Sequence, residues 1–150
     1  CDWSSDVCSS DLERDIHDHN TVDYRTAYKE YPKIWNRYRI EVVAETDEYH
    51  NQWFTDKVAK CLATGKPFVL LGGKHSLKNL KKLGFKSFDH CIDESYDNCV
   101  LPYQRIHSMV KSLTELYVDP DRKAKLKKLS SIAEENIEIY HEYIKNAHYV

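Results

Sequence analysis

The chain has 150 residues, of which 41% are hydrophobic and 31% are charged, and its formal net charge at pH 7 is −2. This size and composition predict one soluble globular domain with a single core. Acidic and basic residues are interspersed, so we expect no nucleic-acid partner, and no apolar run is long enough to predict a membrane span.

The first twelve residues, CDWSSDVCSSDL, show no apolar periodicity that would predict a helix or a strand. Back-translated into codons, residues 2–12 resemble a widely used short-read sequencing adapter translated in frame. We therefore exclude residues 1–12 from the fold and from the function. Residues 13–150 are expected to form a single α/β domain that is the C-terminal part of a longer protein.

A strand, a loop and a helix are predicted after an irregular start. Residues 13–36 mix charged with aromatic side chains, and we expect irregular structure there with room for one short helix. The run RIEVVA at 39–44 is rich in β-branched residues and predicts a strand, which a polar loop follows. Residues 55–65 predict a helix, because Thr55 can cap its start, one face is apolar and Gly65 can end it.

A second strand is predicted directly after this helix. Residues 67–71, PFVLL, form a continuous apolar run before Gly72 and Gly73, which is typical of a strand buried on both faces of a parallel sheet. Leucines at helical spacing predict a helix over 76–83, and residues 85–88 predict a further short strand. The alternation favours a Rossmann-like three-layer α/β domain with a short parallel sheet and a helical C-terminus.

The last part of the chain is predicted to form two helices. Residues 102–117 place an apolar stripe on one helical face, formed by Ile106, Met109, Val110 and Leu113. A final helix is predicted to start at Asp119-Pro120 and to run towards His148, with a kink near the serine pair at 130–131. Its apolar positions step by three or four residues and are Leu126, Leu129, Ala133, Ile137, Tyr140 and Ile144.

Two predicted loops follow the carboxyl ends of the two strands, where open α/β sheets bind their ligands. The loops at 45–57 and 72–76 supply carboxylates, cations and a Gly-Gly backbone that a ligand can approach closely. A diphosphate requires positive charge and amide donors, and a ribose diol requires a carboxylate. Both requirements can be met here. The candidate binding residues are Glu45, Asp56, Lys57, Gly72 and Gly73.

The run FTDKVAKCLATGKPFVLLG, which an aromatic-rich loop precedes, resembles the donor-binding half of GT-B glycosyltransferases of the fucosyltransferase-like type. Such enzymes carry a T/S-E-K motif that opens a helix, followed by a G-x-P-hydrophobic strand. The resemblance implies that Asp56, where the motif has glutamate, contacts the ribose of a nucleotide diphosphate sugar and that Lys57 contacts its diphosphate. It also implies a missing N-terminal acceptor domain that holds the catalytic base. The nucleotide sugar is then a substrate, and no cofactor is expected. Residues 82–97 are similar to viral and bacterial proteins of unassigned function.

Each candidate residue also has a structural interpretation. Asp56 can favour the positive end of a helix dipole, Lys57 can be a solvated charge, and Glu45 can be a loop carboxylate without a partner. The acidic run IDESYD at 92–97 either coordinates a divalent cation or caps the helix that follows it, and capping is favoured.

The alternative function is a non-catalytic, Rossmann-like interaction domain of a viral or bacterial protein, because a fold does not fix a function. Binding of a nucleotide diphosphate near Lys57 separates the two hypotheses. Outside the first twelve residues, Cys61, Cys91 and Cys99 lack the spacing of metal ligands, so no metal site is predicted. Their odd number favours a reducing, cytoplasmic location.

Overall fold

The computed structural model describes residues 38–45 and 55–147, and the expectations for residues 1–36 and for most of the loop after the first strand lie outside these ranges. The described part is a mixed α/β structure, mostly helical, with a short parallel sheet and a long C-terminal helix. Its elements are β1 (Glu41–Ala44), α1 (Asp56–Thr64), β2 (Phe68–Leu71), α2 (Ser76–Lys82), a 3-10 helix (Ser95–Asn98), α3 (Pro102–Val118) and α4 (Arg122–Ala147).

The predicted strand-helix-strand unit is confirmed as β1, α1 and β2. The two strands pair in parallel with Val42 opposite Val69, and they form the whole sheet within the described residues. The Thr55 side chain caps the start of α1, and Gly65 ends the helix in the left-handed conformation at φ 65°. A glycine adopts this conformation without the steric cost of a Cβ atom, so the chain can turn directly into β2.

Strand β2 is buried on both of its faces, as its apolar sequence predicts. Phe68 and Leu70 point to one face and Val69 to the other, and all three are buried. In β1 only Val43 is buried, whereas Val42 is 51% exposed. The core of the domain therefore surrounds β2, and β1 contributes one face to it.

Helix α4 packs its predicted apolar stripe against α1 and the rest of the core. Leu129, Ala133 and Tyr140 are buried, and the side chains of Leu126 and Ile144 pack at the border. The helix begins at Arg122, two residues after the predicted start at Asp119-Pro120, and it continues as one helix through the serine pair at 130–131. The predicted face of α4 is thus confirmed.

The predicted strand at 85–88 is wrong, because this segment is irregular. Its backbone instead pairs with one side chain of α4. The Lys86 N–H donates to Asn136 Oδ1 at 2.8 Å, and Asn136 Nδ2 donates to the Lys86 carbonyl at 2.9 Å. The side-chain amide of Asn136 supplies the hydrogen-bond donor and acceptor that a neighbouring strand would supply. The apolar side chains of the segment at 85–88 are therefore buried although its backbone pairs with no strand.

The predicted inner face of α3 is only partly right. Met109 is buried and Leu113 packs at the border of the core, but Ile106 and Val110 are 44% and 52% exposed. The buried positions of α3 are Arg105, Met109, Ser112 and Leu116. This face also has helical spacing, but it contains an arginine and a serine, so an apolar pattern does not reveal it.

Candidate functional site

The carboxyl ends of β1 and β2 lie at the same edge of the sheet, as parallel pairing requires. Ala44 stands opposite Leu71, and the Glu45 N–H donates to the Leu71 carbonyl at 2.9 Å. Glu45 also holds Thr55, so α1 begins at this edge. We call the residues that meet here, Ala44, Glu45, Thr55–Lys57, Gly72 and Gly73, the carboxyl edge.

The Glu45 carboxylate anchors the first turn of α1. The Thr55 hydroxyl donates to Glu45 Oε2 at 2.6 Å, and the Thr55 N–H donates to Oε1 at 3.2 Å. The same hydroxyl accepts from the Lys57 N–H at 3.3 Å. A negative charge at the N-terminus of a helix is favourable, and both oxygens of Glu45 have partners within the chain.

The two charged residues of the predicted motif lie on the solvent side of the carboxyl edge. Lys57 Nζ donates to the Ala44 carbonyl at 2.8 Å, so the ammonium group lies beside the end of β1 in an exposed position. Asp56 is exposed in the first turn of α1. The structure therefore brings the cation of the motif to the end of the sheet, and the ribose contact of Asp56 stays a prediction.

The Gly72-Gly73 backbone forms the turn from β2 into α2. A Cβ atom at Gly72 would lie 2.7 Å from Ser76 Oγ and 3.9 Å from Glu45 Cβ, so Gly72 and Glu45 are neighbours across the carboxyl edge. The Gly73 carbonyl accepts from the Ser76 hydroxyl at 2.7 Å. Glycine at 72 is required for packing, because a larger residue would displace Ser76. Contact of either glycine with a ligand stays a prediction.

A buried arginine lies behind the carboxyl edge, and the sequence patterns do not predict it. The Arg105 guanidinium donates to the Gly72 carbonyl and to the Cys99 carbonyl, the latter at 2.7 Å. The residue is 3% exposed. It therefore fixes the turn after β2 against the start of α3. In the sequence, the burial of Arg105 is indicated only by its helical spacing with Met109 and Leu116. An apolar pattern does not include an arginine.

The acidic run at 92–97 caps helices, but the main cap differs from the predicted one. Asp97 accepts from the Leu77 N–H at 3.0 Å and from the Lys78 N–H at 3.2 Å. It thus caps α2, which precedes it in the chain. Asp93 accepts from the backbone N–H of Ser95 at 2.9 Å, at the start of the 3-10 helix. The run therefore caps a helix, but the expectation that this is the following helix is wrong, because α3 begins after Leu101 without a side-chain cap hydrogen bond.

A shallow pocket of about 160 Å³ lies beside α2 and is lined by Leu77, Lys78, Lys81, Glu94, Asp97 and Asn98. Glu94 accepts from the Phe88 N–H at 2.7 Å and lies 3.4 Å from the Lys81 ammonium. Burial raises the pKa of the Glu94 carboxyl, and the Phe88 hydrogen bond and Lys81 oppose this shift. Within 38–45 and 55–147, no three His, Cys, Asp or Glu side chains are arranged to hold a metal ion.

The described cysteines have no arrangement typical of a reactive thiol. Cys61 and Cys91 are buried, and Cys99 is half-buried. Burial raises the pKa of the Cys61 thiol to about 12, so the nucleophilic thiolate form is disfavoured at neutral pH. Cys61 therefore acts as a small apolar residue of the core.

Comparisons of the chain with protein-family models, with curated proteins and with solved structures find no match. The glycosyltransferase resemblance therefore rests on the sequence motifs alone. No helix in the described part of the chain is long and apolar enough to cross a membrane.

Proposed function

We propose that the domain binds the nucleotide diphosphate of a sugar donor at the carboxyl edge. One observation carries the proposal: the β1-α1-β2 unit brings Glu45, the start of α1 and Gly72 together at the carboxyl ends of two parallel strands. In open α/β sheets this edge is where ligands bind, because helix N-termini and loop backbones converge there.

The charges at this edge suit a diphosphate next to a ribose. The exposed Lys57 ammonium lies at the end of β1, close to the positive end of the nine-residue helix α1. In the proposal Lys57 contacts the diphosphate as a point charge, and Asp56, one residue earlier, contacts the ribose hydroxyls. Glu45 acts by holding Thr55, which keeps the first turn of α1 in place below the ligand.

The wider proposal is that this domain is the donor-binding half of a GT-B-like, fucosyltransferase-like glycosyltransferase. Its support is the motif that contains Asp56 and Lys57, together with a β2 strand that is buried on both faces, as the middle layer of a three-layer Rossmann-like domain would be. In such an enzyme the lysine offsets the negative charge that develops on the leaving nucleotide diphosphate. The acceptor and the catalytic base would belong to another domain, so the described residues would bind the donor without transferring its sugar.

The proposal is tested by calorimetric titration with guanosine and uridine diphosphates at low salt. We expect one of them to bind, and Lys57→Ala to weaken its binding by about 1.5–3 kcal/mol, the range of a charge-assisted hydrogen bond. Lys82→Ala is the matched control, because Lys82 is an exposed lysine in the last turn of α2. Equal affinities of the wild type and Lys57→Ala would overturn the site.

The second candidate function is a non-catalytic, Rossmann-like interaction domain. The observation that favours it is that both carboxylate oxygens of Glu45 and the ammonium of Lys57 already have hydrogen-bond partners in the chain. In that case these residues only secure α1 on the sheet. Neither diphosphate would then bind at millimolar concentration, and Lys57→Ala would only lower the thermal stability of the domain, because it removes the contact with the Ala44 carbonyl.

A further inference from the structure

The turn between β2 and α2 contains two backbone donors that no described residue accepts. We call residues 72–75 the glycine turn. Gly73 is buried, and neither its N–H nor the N–H of Lys74 donates to an acceptor within 38–45 and 55–147. Buried backbone N–H groups are nearly always paired in folded proteins. These two donors therefore indicate an acceptor that does not belong to the described chain.

The two donors are distinct from the start of α2. The N–H groups of Leu77 and Lys78, in the first turn of that helix, donate to the Asp97 carboxylate at 3.0 and 3.2 Å. The Ser76 N–H donates to the Gly73 carbonyl at 3.2 Å. The start of α2 is thus already capped, and the unpaired donors precede it.

A buried positive charge lies directly behind the glycine turn. Arg105 is 3% exposed, and its guanidinium donates to the carbonyls of Gly72 and Cys99. Its Nε has no hydrogen-bond partner, and no carboxylate in the described part of the chain forms an ion pair with it. The carboxylates of Glu45 and Asp97 bind the starts of α1 and α2 instead. A buried charge without a counterion is costly, and an anion bound at the turn would lower this cost.

The side chains of the turn support the same interpretation. Lys74 is half-buried, and its ammonium forms no ion pair with a described residue. Among the described residues other than glycine, only His75 has a positive φ, of 69°, and its buried Nδ1 has no hydrogen-bond partner. Backbone strain and an unpartnered polar atom at one residue are typical of functional sites.

We propose that the glycine turn binds an oxyanion of the phosphate class through the N–H groups of Gly73 and Lys74 and through the Lys74 ammonium. Backbone N–H groups and lysine are common ligands of phosphate, and the buried charge of Arg105 adds to the attraction. The turn lies at the carboxyl edge, because Gly72 is a neighbour of Glu45. The identity of the natural ligand rests on the proposed function: Lys57 contacts one phosphate of the nucleotide diphosphate, and the glycine turn binds the other.

The first test is calorimetric titration of the full chain with inorganic pyrophosphate at low salt. We expect pyrophosphate to bind the wild type, and Lys74→Ala to weaken its binding by a factor of about ten or more, the effect of losing a charge-assisted hydrogen bond. Lys82→Ala is the matched control, because it removes the same charge from an exposed position at the other end of α2. In nuclear magnetic resonance titrations the amide signals of Gly73 and Lys74 should shift.

The second test measures the preference for a diphosphate, which a purely structural role of Lys74 would not change. We expect the wild type to bind guanosine or uridine diphosphate more tightly than the matching monophosphate by a factor of about ten or more, because two cations then contact two phosphates. Lys74→Ala should remove most of this preference. Circular dichroism melting shows whether each variant is folded.

The outcomes separate this site from the proposed function. If pyrophosphate or a nucleotide diphosphate binds and Lys74→Ala leaves its affinity unchanged, the glycine turn is not the site, and a loss of binding in Lys57→Ala would still support the proposed function. If pyrophosphate binding depends on Lys74 while neither nucleotide diphosphate binds, the anion site is supported and the nucleotide is rejected as its ligand. If none of these probes binds, both proposals are wrong.

Discussion

Single polar side chains hold together parts of this domain that are far apart in sequence. Asn136 of α4 is 1% exposed and bonds both backbone groups of Lys86, fifty positions earlier. A buried amide is tolerated only where its donor and acceptor are satisfied, and here they also satisfy a backbone that lacks a strand partner. Asn136 is therefore the residue that attaches the segment at 85–88 to the helical layer.

We predict that Asn136→Ala lowers the free energy of unfolding by about 1–3 kcal/mol, because it leaves the Lys86 N–H and carbonyl without these partners in a partly buried position. Urea unfolding followed by circular dichroism measures the change. Glu135→Ala is the control, because Glu135 also pairs with Lys86, but through an exposed ion pair. Exposed pairs contribute less than about 1 kcal/mol, so equal effects of the two substitutions would contradict the assigned role.

At the residue scale, the sequence predicts which positions meet at the carboxyl edge but not how they bond. Parallel strands place the residues after them at one edge, and Glu45 and Gly72 are neighbours there. The contact of Arg105 with the Gly72 carbonyl, 33 positions away, and the choice of the helix that Asp97 caps, about 20 positions away, escape prediction, because no local pattern encodes a distant backbone carbonyl or N–H. Polar contacts of this kind depend on the assembled fold.

At the element scale, helix ends are well predicted because their signals are local. The side chain of Thr55 caps the start of α1, and Gly65, which has no side chain, ends the helix in the left-handed conformation. The orientation of α3 is not predicted, because this helix carries two faces with helical spacing. The more apolar face includes exposed residues such as Val110, and the buried face includes Arg105.

The close packing of the end of α1 against α4 can be tested at Gly65. A Cβ atom at Gly65 would lie 2.8 Å from Ile137 Cδ1 of α4, and the residue has a φ of +65°. We predict that Gly65→Ala destabilises the domain by about 2–3 kcal/mol, because left-handed strain of about 1–2 kcal/mol adds to the displacement of Ile137. Thermal and urea unfolding measure the change.

Gly84→Ala is the control for this prediction, because it separates strain from contact. Gly84 also has a positive φ, of +93°, but nothing lies within 4 Å of its added Cβ. Its substitution should cost only the strain, about 1–2 kcal/mol. If both variants lose the same stability, the close packing of Gly65 against α4 contributes nothing to the fold.

At the scale of the whole molecule, the helices rather than the sheet provide most of the buried core. A two-stranded sheet is marginal by itself in water, and here β2 is buried because helices cover it. The alternation of strand and helix predicted the α/β class. It did not predict the long contact between α1 and α4, because which helices pack together depends on the path of the chain between them.

The final prediction is that the described part of the chain unfolds as one cooperative unit. Leu129 of α4 is fully buried in the core cluster that also contains β2. Leu129→Ala should therefore lower the stability of the entire domain by about 2–5 kcal/mol, and α4 should not melt separately. Leu83→Ala is the matched control: Leu83 is 41% exposed, and its loss should cost about 1 kcal/mol or less. The measurement pairs far-ultraviolet circular dichroism, which reports the helices, with hydrogen exchange of the α4 and β2 amides. Early exchange of α4 in Leu129→Ala, with β2 still protected, would show that the helix is an independent unit and that the core is divided.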